Sequence, residues 1–259
     1  MESLMPVSLS PSAWHLRFQQ QAGWTRDLRQ YLYRKAAINR STRILDLGCG
    51  TGALLGELAG QNLRSVTGVD LSRSFLALAQ RETPQAHLIQ ANALNLPFAP
   101  AVFDVALCHF VLLWLAEPQQ ALSELVRVTR RGGAILALAE PDYGGRIDFP
   151  APLAELGALQ TEALRKQGAD PWMGRQLASL FHRAGLTRVE TGLLGGQWSA
   201  ATPQQDWQSE WQMLDADLLD LLPPFRLEKL RAIDRSAWQR GERVLFVPTF
   251  YAIGFVPDG

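Results

Sequence analysis

Short apolar runs alternate along the chain with segments whose apolar residues recur every three or four positions. The runs lie at residues 43–47, 65–70, 86–90, 103–109 and 134–139. Their length is typical of buried strands, and the segments between them, such as residues 119–129, show helical spacing. Strands that alternate with helices in this way predict an α/β fold with a doubly wound sheet, in which ligands bind at the carboxyl edge.

Two regions depart from this alternation and have helical patterns. Residues 1–40 precede the first strand, and residues 141–240 contain three helical patterns interrupted by one more strand at 187–194. Residues 243–255 are rich in strand-forming types and are expected to close the sheet. We therefore expect an N-terminal helical cap at 1–40, followed by one domain at 41–259 with helical lid insertions within 141–240.

Tryptophans are concentrated in these two regions. The second region holds Trp172, Trp198, Trp207, Trp211 and Trp238. Trp207 and Trp211 share one helix face at a spacing of four residues, and they form either the core of an accessory helical layer or the roof over an apolar substrate. Trp14, in the first region, belongs either to a helix that packs on the sheet or to a flap that closes over a ligand.

The composition argues against several classes of protein. The 259 residues are 47% hydrophobic and carry 25 basic and 25 acidic side chains, whereas proteins that hold nucleic acid usually have a clustered basic excess. The two cysteines, Cys49 and Cys108, form no CxxC pair, so neither a disulfide framework nor a metal site is predicted. The longest uncharged apolar run, 105–116, is shorter than the roughly 20 residues that span a bilayer, and the N-terminus does not resemble a secretory signal. These features favour a cytoplasmic protein with no membrane span and no nucleic-acid partner.

A glycine cluster follows the first predicted strand. Gly48, Gly50 and Gly52 stand at alternate positions, a pattern that permits a tight turn and brings backbone N–H groups close to a ligand at the start of a helix. Asp70 ends the second strand about twenty residues later, where dinucleotide folds use a carboxylate to bind a ribose. The cluster alone does not choose a cofactor.

The sequence around the cluster resembles the class I S-adenosylmethionine (SAM) methyltransferases. Residues 45–52, LDLGCGTG, are similar to that family's first motif, which places an acid just ahead of the glycines. Further motifs resemble the ubiquinone and menaquinone biosynthesis methyltransferase subgroup: ANALNLPF at 91–98, Phe103-Asp104, Arg127-Val128, and Gly132-Gly133 preceded by Arg131 where the subgroup has proline. The resemblance covers residues 41–139 well, 174–195 and 243–255 loosely, and the rest hardly at all.

This resemblance implies a fold, a cofactor and a set of binding residues. The fold is a Rossmann-like, doubly wound sheet of seven largely parallel strands with an antiparallel terminal strand, and the activity is SAM-dependent methyl transfer. The implied cofactor-binding residues are Asp46, Gly48, Cys49, Gly50, Gly52, Asp70, Leu71, Asn92, Ala93 and Cys108. Among them, Asp46 orders the loop and the methionine end, Asp70 binds the ribose hydroxyls, and Asn92, which replaces the commoner aspartate, meets the adenine together with Ala93.

Motifs of several acceptor classes are absent after the fourth strand. Residues 109–112 read HFVL rather than the Pro-Pro-aromatic motif of enzymes that methylate exocyclic base amines. Cys108 follows leucine rather than the proline of a cytosine-C5 nucleophile, and no glutamate pair typical of arginine methylation stands there. Together with the zero net charge, these absences favour a small-molecule acceptor, apolar or aromatic, methylated at O, N or C.

Candidate catalytic residues follow the fourth and fifth strands. His109 is either a general base that titrates near neutral pH or a histidine that packs at a helix start. The loop at 140–148 contains Asp142, a candidate base, and Tyr143, a candidate hydrogen-bonding group. The competing interpretation of this loop is an ordinary acidic turn with Arg146 in a salt bridge.

Two other functions remain open from the sequence. An NAD-dependent oxidoreductase would use the same glycine loop, and binding of NADH in place of SAM would decide for it. A catalytically silent SAM-binding module would have a cavity under the loop at 142–148 that is filled by side chains.

Overall fold

The computed structural model describes residues 10–60, 65–195 and 204–258. Its strands are β1 (Arg43–Leu47), β2 (Ser65–Asp70), β3 (His87–Gln90), β4 (Phe103–Cys108), β5 (Thr129–Pro141), β6 (Ile147–Phe149), β7 (Thr187–Leu194), β8 (Val244–Phe246) and β9 (Thr249–Phe255). Its α-helices are α1 (Pro11–Trp24), α2 (Arg26–Lys35), α3 (Ala53–Gly60), α4 (Arg73–Glu82), α5 (Pro118–Val128), α6 (Ala154–Lys166), α7 (Met173–Arg183), α8 (Gln204–Leu218) and α9 (Pro224–Gln239). None of the helices in these ranges is both long and apolar enough to cross a membrane.

Local sequence signals set two of the helix starts near the site. Ser10 precedes Pro11 in α1, and the Ser10 hydroxyl accepts a hydrogen bond from the Ala13 N–H at 3.2 Å. The Ser72 hydroxyl accepts in the same way from the Phe75 N–H, at 3.3 Å, at the start of α4. Serine is favoured at this position because its oxygen satisfies a backbone donor that the first helical turn leaves free.

Within the described ranges, seven strands form one sheet in the order β3-β2-β1-β4-β5-β9-β7. The pairs from β3 to β5 are parallel, whereas β9 runs antiparallel to both β5 and β7. The predicted doubly wound, largely parallel sheet of seven strands is therefore confirmed.

The C-terminal strand region differs from the expectation of a single closing segment at 243–255. β8 leaves the main sheet and pairs with β6 in a separate two-stranded sheet, and β9 lies inside the main sheet between β5 and β7. Pro248 separates β8 from β9, and proline has no N–H to donate to a strand ladder. β7 is therefore the edge strand on this side of the main sheet.

Alternate residues of each buried strand face opposite sides of the sheet. Leu45 and Leu47 of β1 pack in one apolar cluster with residues of α5 and α7, whereas Ile44 packs in a second cluster with residues of α2, α3 and α4. This period of two is the one a strand imposes on its side chains. Helices cover both faces and leave the carboxyl ends of β1, β2 and β4 open to a ligand.

The region at 141–240 divides between the sheet and a separate helical layer. Helix α7 contributes Leu177, Leu180 and Phe181 to the core of the sheet. Helices α6, α8 and α9 enclose their own apolar cluster, to which Trp211 belongs and against which Trp207 packs. Trp198 lies outside the described residues. The interpretation of Trp207 and Trp211 as the core of an accessory layer therefore fits their packing, and only α6, α8 and α9 form the layer that we call the lid.

A buried ionic chain ties the base of this lid to the two-stranded sheet. Asp148 of β6 accepts hydrogen bonds from Arg146 Nε and Arg243 Nη2, both at 2.6 Å. Arg243 Nε also donates to Asp234 of α9 at 2.6 Å, and Trp207 Nε1 donates to the other Asp234 oxygen. Because each of these buried charges has an oppositely charged partner, the ionic chain avoids the large free-energy cost of an unpaired buried charge. The salt-bridge interpretation of Arg146 is the one the structure matches.

Candidate active site

The glycine loop packs too tightly for side chains. Gly48 and Gly50 have φ angles of +69° and +53°, in the left-handed region that favours glycine. A Cβ atom on Gly48 would lie 2.5 Å from a Val111 methyl group, and one on Gly50 would lie 3.0 Å from the Phe18 ring. The loop therefore presents bare backbone at the carboxyl end of β1.

Asp70 supports the glycine loop from the end of β2. Its Oδ2 accepts the Gly50 N–H at 2.9 Å, and its Oδ1 accepts the Ser72 N–H at 2.8 Å. Burial raises the pKa of Asp70 above its ordinary value, while these backbone donors act in the opposite direction. The carboxylate is fixed in position with lone pairs left for further donors.

Asp46 is a buried carboxylate with an unused oxygen. It lies on β1 just ahead of the loop, is 2% exposed, and its Oδ2 has no hydrogen-bond partner among the described residues. Burial, with a smaller contribution from the nearby Asp70 charge, raises the pKa of Asp46 to about 8. A buried polar atom left without a partner costs free energy, so this oxygen is suited to a cationic ligand.

One cavity of about 230 Å³ extends from the glycine loop to the lid. At the sheet edge its walls include Asp46, Gly48, Cys49, Gly50, Asp70, Leu71, Asn92, Ala93 and His109. Its lining also includes Trp14 and Arg17 of α1, Phe110, Trp114 and Tyr143 of the segments after β4 and β5, and residues in and just after α6 and in α8: Gln160, Leu164, Gln167, Met213 and Asp217. The space next to Tyr143 is open rather than filled by side chains, which removes the condition that would favour a silent module.

Two residues of the implied cofactor set lie outside this lining. Cys108, the last residue of β4, is buried in the core cluster on the α5 and α7 face of the sheet. Gly52 stands behind the loop, where a Cβ atom would lie 3.2 Å from Ala79 of α4. Cys108 packs in the core, and Gly52 allows α3 and α4 to approach each other.

Asn92 lies at the cavity wall but uses its side-chain oxygen within its own turn. The Leu94 N–H donates to Asn92 Oδ1 at 2.9 Å, and the Asn95 N–H donates to the Asn92 carbonyl. This is the local bond that asparagine commonly makes to backbone two residues ahead. One lone pair of Oδ1 and the amide N–H groups remain for a ligand.

Helix α1 covers the glycine loop from the solvent side. The Phe18 ring contacts Gly50, stacks on Trp14 with ring centroids 5.5 Å apart, and meets Phe75 of α4 edge-on at 5.7 Å. His15 Nδ1 also hydrogen-bonds to the Thr51 hydroxyl at 2.8 Å. Residues of α2 pack against residues of the sheet, which fits the packing role that the sequence leaves open, while α1 lies over the glycine loop.

His109 follows β4 and lies on the cavity wall. Its Nε2 hydrogen-bonds to the Thr25 hydroxyl at 2.9 Å, and Arg29 Nη1 donates to the same hydroxyl. Arg29 is fully buried and pairs with Glu57 of α3. Burial, together with the Arg29 charge, lowers the pKa of His109 to about 3, so the imidazole is neutral at physiological pH.

The turn after His109 is held by a buried glutamate. Oε1 of Glu140 accepts the N–H groups of Val111 and Leu112 at 2.9 Å, and Oε2 accepts that of Leu113 at 3.2 Å. Burial raises the pKa of Glu140 to about 7 despite these donors. Glu140 therefore fixes the backbone next to His109 from the end of β5.

The structure separates the two loop candidates Asp142 and Tyr143. Both carboxylate oxygens of Asp142 accept hydrogen bonds from Arg175, and Asp142 is buried outside the cavity lining. Tyr143 does line the cavity, and burial, with a smaller contribution from Glu210, raises its pKa to about 12. Asp142 is thus an ion-pair residue of the turn, and Tyr143 is a protonated phenol at the cavity wall.

Four polar residues of the cavity carry no sequence motif. Arg17, Gln160, Gln167 and Asp217 come from α1, α6, the end of α6 and α8. Each stands in a helix whose orientation over the sheet edge depends on tertiary packing. Only the polar position in an otherwise apolar helix face could have drawn attention to them.

Among the described residues, no group of three or more His, Cys, Asp or Glu side chains could hold a metal ion.

Comparison with protein families gives one matching domain. Residues 45–137 match the family model described as a methyltransferase domain. This segment runs from β1 through most of β5 and includes the glycine loop, Asp70 and His109.

Similar proteins cover much more of the chain. Demethylmenaquinone methyltransferase of Lysinibacillus sphaericus is 28% identical over 193 residues, covering 67% of this chain and 80% of the relative. The O-methyltransferase rstn1 of Aspergillus nomiae is 32% identical over 157 residues, covering 58% of this chain and 67% of the relative. A solved structure, phosphoethanolamine N-methyltransferase 2 of Haemonchus contortus with S-adenosyl-L-methionine, is 18% identical with a TM-score of 0.57, covering 87% of this chain and 51% of that one.

Proposed function

Because the chain belongs to the class I SAM-dependent methyltransferases, we propose that its cavity takes a small apolar or aromatic molecule and methylates it at O, N or C. SAM is the cofactor of the enzyme. One observation carries the proposal: the cavity that the glycine loop lines is also lined by the aromatic residues Phe110, Trp114 and Tyr143. Flat apolar walls with a few polar groups are typical of sites for small organic ligands.

The residues at the sheet edge fit SAM, which is a zwitterionic amino acid joined to a ribose and an adenine. The unpartnered Oδ2 of Asp46 suits the ammonium group, and the bare backbone at Gly48 and Gly50 suits the carboxylate. The fixed carboxylate of Asp70 suits the two ribose hydroxyls. Leu71 and the Asn92–Ala93 turn provide an apolar surface and polar groups for the adenine.

When bound, SAM supplies a methyl carbon activated by attachment to a sulfonium. The protein must then hold the acceptor in line with that carbon and exclude water. Phe18 and Trp14 of α1 cover the part of the cavity at the glycine loop, which we assign to SAM. The lid covers the remaining part, which we assign to the acceptor. We assign helix α1 of the N-terminal cap and the lid helices α6, α8 and α9 to this closure.

His109 and Tyr143 are the groups that we place next to the acceptor. His109 is neutral and is positioned by Thr25, so its imidazole can hydrogen-bond to the acceptor without introducing a charge. Tyr143 remains protonated and donates a hydrogen bond. Asp142 is left out, because its carboxylate is committed to Arg175.

The name of one relative supports a small-molecule acceptor. One relative is named for demethylmenaquinone, and another is named an O-methyltransferase. Arg17 is the one arginine among the described residues that line the cavity, and it is paired with Glu210, so this described lining offers no basic cluster of the kind that holds phosphates. We therefore propose a small molecule rather than a nucleic acid as the acceptor.

Calorimetric titration distinguishes the proposed cofactor site from a dinucleotide site. We expect S-adenosylhomocysteine, the product form of SAM, to bind the purified protein with a stoichiometry of one, and NADH not to bind. Incubation with SAM carrying a tritiated methyl group should then transfer the label to members of a panel of small aromatic acceptors. Tight NADH binding without S-adenosylhomocysteine binding would contradict the cofactor site, and labelling confined to protein or nucleic acid would contradict the acceptor class.

A further inference from the structure

The lid end of the cavity contains a buried carboxylate, Asp217 of α8. Two amides hold it in place: Gln160 Nε2 donates to Oδ2 at 2.8 Å, and Gln167 Nε2 donates to Oδ1 at 3.0 Å. Asp217, Gln160 and Gln167 all line the cavity. The carboxylate therefore has a fixed orientation at a surface that a ligand can reach.

The orientation of Gln160 is determined by its other neighbour. Arg146 donates to the Gln160 side-chain oxygen, and Asp148 holds Arg146. Since a guanidinium can only donate, the Gln160 amide must direct its N–H groups toward Asp217. The buried ionic chain beneath the lid thus extends to the cavity wall.

Gln167 presents an acceptor that is not used within the described residues. Its Nε2 is bound to Asp217, and its Oε1 is buried without a hydrogen-bond partner there. A buried acceptor in this condition costs free energy unless a ligand donates to it. Asp217 and Gln167 Oε1 together form a pole of hydrogen-bond acceptors at the end of the cavity.

No cation among the described residues contacts Asp217 directly. The surrounding charged and titratable groups are Arg17 of α1, Glu210 of α8, and Tyr143 and Arg146 of the segment after β5. Arg17 is paired with Glu210 at 3.2 Å. Burial, the largest influence, raises the pKa of Asp217, and the two amide donors act in the opposite direction. A carboxylate in this condition is a stronger proton acceptor than an exposed one.

Resting on the methyltransferase function proposed above, we infer that Asp217 is the general base of the reaction and that the acceptor is an aromatic hydroxyl compound. The hydroxyl donates to Asp217, and a neighbouring donor on the same molecule can satisfy Gln167 Oε1. Tyr143, Trp114 and Met213 line the same cavity and provide apolar walls for the ring. Anionic acceptors such as carboxylates are disfavoured at this pole, because Asp217 would repel them.

Methyl transfer to the acceptor oxygen is coupled to loss of the hydroxyl proton. The acceptor O–H bond breaks and its proton passes to an Asp217 oxygen, while a new bond forms between the acceptor oxygen and the methyl carbon. The electrons of the sulfur–methyl bond stay on sulfur, so the sulfonium becomes a neutral thioether. The products are a methyl ether, S-adenosylhomocysteine and protonated Asp217, which returns its proton to solvent.

Binding of matched naphthalene probes tests the acceptor pole directly. The protein is first saturated with S-adenosylhomocysteine, and the Kd values of 1-naphthol and 1-methoxynaphthalene are measured by fluorescence. We expect 1-naphthol to bind about tenfold more tightly, because only it donates a hydrogen bond to a charged group. In Asp217→Asn this preference should shrink to about twofold or less, since the acceptor loses its charge.

Asp215→Asn is the matched control, because Asp215 lies on the same helix and pairs with Arg231 outside the cavity lining. It should keep the wild-type preference for 1-naphthol. In the activity assay, Asp217→Asn should lower kcat for 1-naphthol about 100-fold, with a smaller loss for 4-nitro-1-naphthol, which gives up its proton more easily. Unchanged affinity for S-adenosylhomocysteine will show that the variant is folded.

Four outcomes would overturn the assignment of Asp217. The first is equal Kd values for 1-naphthol and 1-methoxynaphthalene, and the second is a preference for 1-naphthol that is unchanged in Asp217→Asn. The third is binding of the cationic probe 1-naphthylmethylamine that is tighter than that of 1-naphthol. The fourth is failure of both 1-naphthol and 1-methoxynaphthalene to bind the saturated protein. Failure of S-adenosylhomocysteine to bind at the first step would instead count against the proposed function.

Discussion

Asp70→Asn is expected to weaken S-adenosylhomocysteine binding about 100-fold, because two charge-assisted hydrogen bonds to the ribose would be lost. The carboxylate also accepts the N–H groups of Gly50 and Ser72. An asparagine amide can accept one of them but would direct its own N–H groups toward the other. Calorimetry at constant pH and ionic strength measures the change in Kd.

Asp104→Asn provides the control for this substitution. Asp104 lies near the amino end of β4, at the opposite edge of the sheet, and its carboxylate is bound by Arg43 and Arg130. These partners hold the pKa of Asp104 well below its usual range, so the change should lower thermal stability while leaving S-adenosylhomocysteine binding intact. If Asp70→Asn binds as tightly as Asp104→Asn, Asp70 does not hold the ribose.

Binding of S-adenosylhomocysteine is expected to release a proton from Asp46 near neutral pH. The pKa of Asp46 in the free protein is about 8, chiefly because of burial, so its carboxyl is mostly protonated at pH 7. An ammonium group beside Oδ2 favours the ionised form and lowers this pKa. Affinity should therefore rise by up to about tenfold per pH unit between pH 6 and pH 8, with about one proton released.

The raised pKa of Asp46 also makes the free energy of unfolding depend on pH. The folded-state pKa of Asp46 lies above the ordinary value of 3.8, so the folded protein binds more protons than the unfolded chain between these values. The contribution of Asp46 to the free energy of unfolding must then fall as pH rises from about 4 to about 8. S-adenosylhomocysteine should oppose this fall in the upper part of the range.

Asp46→Asn separates the effect of Asp46 from other titrations. The variant should bind S-adenosylhomocysteine about 30-fold more weakly at pH 8, because the ammonium loses its buried partner. Calorimetry in two buffers of different ionisation enthalpy should show that its proton release has disappeared. Proton release that persists in Asp46→Asn would assign the linkage to another group.

The strand–helix alternation of the core was predictable because period and turn chemistry are local properties. The spacing of apolar residues placed β1, β2 and β7 almost to the residue. The insertion of β9 between β5 and β7 was not predictable, because strand order depends on contacts between distant segments. For the same reason, α7 could not be assigned to the sheet rather than to the lid.

The sequence located the cofactor half of the candidate site better than the acceptor half. Asp46, Gly48, Gly50 and Asp70 are tied to strand ends, so the sheet brings them to one edge of the cavity. Asp142 and Tyr143 are adjacent, yet one turns to Arg175 and the other to the cavity. Asp217 belongs to a helix whose position over the sheet is set by lid packing, which no local pattern specifies.

A crystal structure of the complex with S-adenosylhomocysteine will show whether the cavity at the glycine loop is the cofactor site. We expect electron density for the ligand in the cavity, with its amino group at Asp46, its ribose hydroxyls at Asp70 and its sulfur facing His109 and Tyr143. Density for the ligand outside the cavity, or a sulfur directed away from both His109 and Tyr143, would contradict this placement of the cofactor.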